Sequence, residues 1–168
     1  MHLLRRRYQF ETEETMNAIE LLKEDHDRVD KLFQKVKANE DADHRDTFEK
    51  IKAELEVHTH IEETIFYPKV KEDGDEELKK IVLEGVEEHH QAKIFLRELS
   101  SLADDSEKFP PKLKVLMEDI SHHVQEEEGQ MFPMIQEQFD EFTLQELGKE
   151  MEKEKKAFGK SGKSAGAK

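Results

Sequence analysis

The chain contains no cysteine. Disulfide staples, thiolate metal sites, iron–sulfur ligation and cysteine nucleophiles are excluded together, so a metal site here must use imidazole and carboxylate. Chain breakers are scarce too, with seven glycines and four prolines in 168 residues, which favours long helices over strands and turns. No apolar run approaches the roughly 20 residues that a helix needs to span a bilayer. The opening Met1–Phe10 carries three Arg with no apolar stretch after them. It makes a poor secretory signal, and a cytoplasmic location is expected. Met16-Asn17-Ala18 also reads as a natural beginning. Basic charge is in deficit, with 27 Lys and Arg against 41 Asp and Glu and a net charge of -14. Such a surface repels nucleic-acid phosphate and anionic lipid, so neither nucleic acid nor membrane is an expected partner. A carboxylate excess suits either a plain solvated surface or a cation-handling protein.

What is present reads as helix. Hydrophobic residues make up 35% of the chain, including ten Phe, and they recur at helical spacing in four long segments. The first runs from about 15 to 38, with Ile19, Leu22, Val29, Phe33 and Val36 on one stripe. The second covers about 44–71, the third 76–102, and the fourth starts near Pro110-Pro111 and ends about 139. These predict an all-α, up-down-up-down four-helix bundle over residues 15–140. A short extra helix over 141–158, periodic from Leu144 to Phe158, is expected outside it. Residues 1–14 read as a loose N-terminal segment, and 159–168 (GKSGKSAGAK) as a disordered tail.

The second half repeats the first. His26 precedes His58-x-x-x-Glu62 and then Phe66-Tyr67-Pro68. His89 precedes His123-x-x-x-Glu127 and then Met131-Phe132-Pro133. The His-to-His gaps are 32 and 34 residues, and each ligand-type Glu is followed by Pro six residues on. A duplicated helical hairpin makes a four-helix bundle.

Residues four apart share one face of a helix. His58 with Glu62, and His123 with Glu127, therefore project together, and each pair interrupts the apolar stripe of its helix. His26 and His89 interrupt the stripes of theirs. Burying such groups without partners would cost on the order of 1–3 kcal/mol each, more for a bare carboxylate. Metal ions remove that cost. The candidate metal residues are His26, His58, Glu62, His89, His123 and Glu127, and two carboxylates able to bridge suit two metals better than one. Nitrogen and oxygen donors without sulfur fit iron, and also admit manganese or zinc. His60 lies roughly 200° round the helix from His58 and should face outward. His90 and His122 sit one residue off the inward positions, and for each a fifth imidazole ligand or an outer hydrogen-bonding group is the lesser reading. Asp25 and Glu88 have two readings, orienting the site by hydrogen bonds or forming part of a solvated acidic face. Phe66, Met131 and Phe132 read either as an apolar lid or as plain core, with Pro68 and Pro133 expected to kink their helices.

On Glu24-Asp25-His26, His58-x-x-x-Glu62-Glu63 with Phe66-Tyr67-Pro68, Glu88-His89-His90, and His123-x-x-x-Glu127 with Met131-Phe132-Pro133, the sequence resembles the hemerythrin-like HHE cation-binding family from about 17 to 139. The resemblance implies two iron ions with an oxo or hydroxo bridge. It makes His26, His58, His89 and His123 terminal ligands, and Glu62 and Glu127 bridging carboxylates. Oxygen-carrying hemerythrins place two His four apart on the third helix, whereas the position four before His89 is Gly85 here. The pattern looks closer to iron–sulfur-repair di-iron proteins, whose cysteine-containing segment has no counterpart in this sequence. The expected partners are iron and a small diatomic ligand or peroxide, with the protein a monomer. Three roles fit: binding or sensing oxygen, nitric oxide or peroxide; consuming peroxide or nitric oxide; and storing or donating iron. No dedicated catalytic residue stands out, Tyr67 and Glu63 being the nearest candidates for proton transfer.

Overall fold

In a computed structural model, residues 15–165 are described, with side chains to 160. The N-terminal segment 1–14 and the last three residues of the tail lie outside the described residues. Helix α1 (Ala18–Ala38) begins with a capping box, in which Asn17 Oδ1 accepts from the Glu20 N–H at 2.9 Å and Glu20 Oε2 accepts from the Asn17 N–H at 3.0 Å. Helix α2 (Arg45–Ile61) passes through a π-helical turn, Glu62–Phe66, into α3 (Tyr67–Asp73), forming one rod. Helix α4 (Glu76–Ser101) is capped by Asp75, whose Oδ1 accepts from the Leu78 N–H at 3.0 Å. The fourth rod repeats the second: α5 (Phe109–Glu126), a π-helical turn over Glu127–Met131, and α6 (Phe132–Gln138). The four rods form an all-α bundle that carries a fifth, C-terminal helix, α7 (Glu141–Ala165), which packs on α1 and α2.

Helix α7 is longer than its sequence suggests. It spans 25 residues and passes Phe158 and Gly159 to Ala165, through most of the segment expected to be a disordered tail. Close approach to α1 is possible because of Gly148, where a Cβ would lie 2.3 Å from the Met16 carbonyl oxygen. Among the described residues, no helix is long and apolar enough to cross a membrane.

The core is divided. At one end Ile19, Leu22, Phe66, Val70, Leu78, Phe132 and Ile135 pack with Leu144, Leu147 and Met151 of α7. At the other, Val29, Phe33, Phe48, Ile51, Leu96, Leu99, Leu113 and Leu116 form a second cluster. Between the two lies a polar waist.

Candidate metal centre

Both π turns open at the waist glutamates. The Tyr67 N–H reaches back to the Glu62 carbonyl and the Phe132 N–H to that of Glu127, one residue further than α-helical bonding allows. The helix is already re-phased before Pro68 and Pro133 arrive, in the first turns of α3 and α6. The prolines thus follow the irregularity and do not by themselves make the kink expected of them. Past Glu62 and Glu127, residues no longer fall where 100° per residue would put them.

The six polar interruptions of the apolar stripes meet at this waist. His26, His58, His89 and His123 are each 5% exposed or less, and Glu62 and Glu127 are at 0% and 1%. His26, His58, Glu62 and Glu127 bring one donor atom each within 4.8 Å of one another, and so do Glu62, His89, His123 and Glu127. The groups are two four-donor cradles that share both carboxylates. His58 Nε2 lies 3.3 Å and His89 Nε2 3.0 Å from Glu62 Oε2. His26 Nε2 is 3.1 Å from Glu127 Oε2, and His123 Nε2 is 3.2 Å from Glu127 Oε1.

Each imidazole turns its other nitrogen to a carboxylate outside the cradle. His26 Nδ1–H donates to Glu128 Oε1 at 2.7 Å, His58 to Asp25 Oδ2 at 3.3 Å, and His89 to Glu63 Oε1 at 3.0 Å. His123 donates to Glu88 Oε2. The pattern follows the sequence repeat. The acidic residue before the first His of each hairpin holds the second His of that hairpin, and the residue after each shared Glu holds a His of the other hairpin. Protons on all four Nδ1 atoms leave the Nε2 lone pairs facing inward. His89 Nε2 and His123 Nε2 then stand 3.1 Å apart, an arrangement that repels unless a proton or cation lies between them. His26 Nε2, His58 Nε2, both Glu62 oxygens and Glu127 Oε2 are buried without a hydrogen-bond partner. A buried orphan of this kind costs about 1–3 kcal/mol, so the donor set fits a bound cation.

Electrostatics point the same way. Burial opposes charge on His26, yet its hydrogen bond and attraction to Glu127, with Glu62 and Glu128, lift the imidazole to about 9. Burial is likewise outweighed at His123, which Glu127 and Glu88 push well up, and at His89, which Glu62 and Glu63 push up. Against the cost of burial, His123 and His26 hold Glu127 well below the usual carboxylate range. His89 and Lys93 bring Glu63 to about 2. Asp25 also falls to about 2, as His58 and Lys155 overcome its burial. Six carboxylates crowd the waist while, among the described residues, only Arg28, Lys93 and Lys155 supply side-chain cations in contact with them. The field that draws protons onto the imidazoles also acts on a metal ion.

The sequence model of the hemerythrin HHE cation binding domain matches residues 17–135. The chain belongs to the hemerythrin HHE cation-binding family. Among solved structures, a hemerythrin HHE cation binding domain-containing protein from Mycobacterium kansasii superposes with a TM-score of 0.72 at 26% identity, covering 87% of this chain and 89% of that one. An uncharacterized hemerythrin-like protein of Schizosaccharomyces pombe is 28% identical over 79% of this chain and 66% of its own length. A DNA nickase of Nostoc is 25% identical over 71% of this chain but only 34% of its own length. The HHE chain thus spans less than two thirds of both curated relatives.

Several side chains in this HHE domain stand apart from their sequence reading. Asp25, 1% exposed, and Glu88, half-buried, serve as hydrogen-bond partners of His58 and His123 and are not a solvated face. Glu63 sits on His89 and Lys93. Glu128, which sequence reasoning passed over, holds His26; the Glu doublet after each His-x-x-x motif was the available signal. His90 and His122 are exposed, and His122 pairs with Glu126 at 3.2 Å. His60 turns to α7, where it meets Glu154 at 2.8 Å. Phe132 stacks flat on His26 with ring centroids 6.0 Å apart, and Phe66 and Met131 are buried beside it, so the three are core and site wall at once. Tyr67 donates its hydroxyl proton to Glu127 Oε1 and lies 3.4 Å from His89 Nε2. Burial first, then Glu127 and Glu62, push that hydroxyl far above its ordinary range, so it keeps its proton.

Proposed function

We propose that this HHE domain holds two iron ions, one between His26 and His58 and the other between His89 and His123, with Glu62 and Glu127 shared. We further propose that a small diatomic molecule or peroxide is bound or consumed beside them. One observation carries the metal assignment: two buried four-donor cradles, sharing both carboxylates, in which five donor atoms have no other partner. The donor set is imidazole and carboxylate, and iron suits it. When bound, ferrous iron supplies an open coordination position and electrons.

The chain's own groups define what reaches that position. The four imidazoles, with Val29, Leu55, Ile120 and Val124, enclose a cavity with room for about one water-sized molecule. Its walls beyond the imidazoles are mainly aliphatic, which favours a small neutral guest and keeps water from competing. The Tyr67 hydroxyl is a proton donor already placed on a shared carboxylate. Iron storage or donation, the alternative, sits less well with donors buried on every side.

Metal analysis of protein purified from its source, followed by anaerobic ferrous loading, tests both halves. The expected content is two irons per chain. Exposure to oxygen, nitric oxide and peroxide under optical monitoring then separates the roles. A reversible oxygen spectrum marks carriage, steady turnover marks an enzyme, and rapid loss of iron marks donation.

A further inference from the structure

Helix α7 has no counterpart in the repeated hairpins, yet it reaches the polar waist. One turn beyond the buried Met151, Lys155 Nζ contacts Asp25 Oδ1, an oxygen it shares with the Arg28 guanidinium. Asp25 is 1% exposed, and its other oxygen accepts the His58 Nδ1–H at 3.3 Å. An ammonium on α7, a carboxylate on α1 and an imidazole on α2 therefore form one continuous chain. The other three imidazoles have no such tie. Glu128 holds His26, Glu63 holds His89 with Lys93 of α4, and Glu88 holds His123; among the described residues no Lys of α7 forms an ion pair with these carboxylates. Glu88 occupies the position of Asp25 in the repeat, but its side chain is 33% exposed and contacts no Lys or Arg among the described residues. The second hairpin lacks the strut.

We propose that Lys155 is a positioning residue for the metal centre: acting through Asp25 it fixes His58, and so couples the seating of α7 to cation binding on the His26–His58 side. This rests on the metal reading above. The two cations on Oδ1 set the rotation of the carboxylate and aim Oδ2 at the imidazole. The imidazole in turn is held with its Nε2 inward. Outer partners of metal-binding His commonly alter affinity 10- to 100-fold. Coupling of this kind is reciprocal, so a cation bound at His58 steadies α7 as much as α7 steadies the site.

Cobaltous ion is the probe, loaded into the full chain. Proton spectra in ordinary water should show four strongly shifted, solvent-exchangeable lines, one for each ligand Nδ1–H. In Lys155→Met one line should move or exchange faster while three stay, and cobalt should pass to a chelator about tenfold faster. Lys155→Arg, which keeps a cation on Asp25, should restore the spectrum. Glu154→Gln loosens α7 at His60 without touching Asp25, and should leave all four lines in place. Four unmoved lines in Lys155→Met, four that move together, or the same change in Glu154→Gln would each overturn the coupling. If Lys155→Met does not fold, hydrogen exchange on the unmodified chain decides: cobalt should slow amide exchange around Lys155, and unchanged rates there refute the proposal. A loaded wild-type chain with no shifted exchangeable lines would instead bring down the metal reading itself.

Discussion

At Gly85 a hydrogen in place of a methyl group makes room for Tyr67. A Cβ there would lie 3.0 Å from the tyrosine hydroxyl and 3.3 Å from its ring. The position four before His89, where oxygen carriers have a further histidine, is thus filled from α3. Gly85→Ala ought to gain about 1 kcal/mol in helix propensity, but overpacking against a buried ring costs about 1–3 kcal/mol and dislodges the hydroxyl from Glu127. The expected net is a loss of about 1–2 kcal/mol in urea unfolding of the metal-free protein. Tyr67→Phe removes the closest atom, so Gly85→Ala in that background should be neutral or stabilising. Equal effects in the two backgrounds would mean that glycine and tyrosine do not share this space. The shared carboxylates allow a second residue-scale test. Glu62→Ala or Glu127→Ala should each bring bound iron below two per chain, while His60→Ala, which alters only the contact with α7, should not. Full loading in both glutamate variants would remove the bridging roles.

The hairpin element owes its site to a turn that a plain α-helix cannot make. That six polar side chains turn inward to one waist was legible in the sequence because they recur at inward positions with matched spacing, and periodicity carries that far. Their outer partners were harder to read, since a carboxylate on one rod serves an imidazole on another, and that pairing depends on how neighbouring rods are rotated. Glu63 and Glu128 are harder still, because each lies in a π turn where the 100° rule has already failed. The length of α7 was missed for a different reason: a small, polar segment with two glycines has weak helix propensity, which continuation of a docked helix overrides. Deleting the exposed Thr64 should convert the first π turn into regular α-helix. Because π turns persist at functional sites rather than for stability, the metal-free deletion variant is expected to unfold at the same temperature as the parent or above it. Its iron content should fall, since Glu62 and Glu63 are re-aimed. Two irons per chain in that variant would show that the π turn does not set the donors.

On the scale of the whole molecule, the two apolar clusters are separated by a layer that cannot stabilise itself through burial. Imidazoles and carboxylates replace aliphatic side chains at every rod, five of their inward atoms have no hydrogen-bond partner, and the chain carries a net charge of -14 that further opposes compaction. Cations bound only by the folded state therefore act on stability directly. At a free concentration about 100 times the dissociation constant, one site adds about 2.7 kcal/mol, and in a domain of this size each kcal/mol moves the melting temperature by roughly 2–4 °C. Loading a single site should thus raise Tm by roughly 5–10 °C, and loading both by more. Melting curves followed by circular dichroism, with ferrous or cobaltous ion and then with excess chelator, give the comparison. In Glu62→Ala the increment should shrink along with the metal content, because the shared carboxylate is gone from both cradles. If the parent melts at one temperature whether loaded or stripped, then cations do not bind the folded waist in preference to the unfolded chain, and the buried donors must be satisfied in some other way.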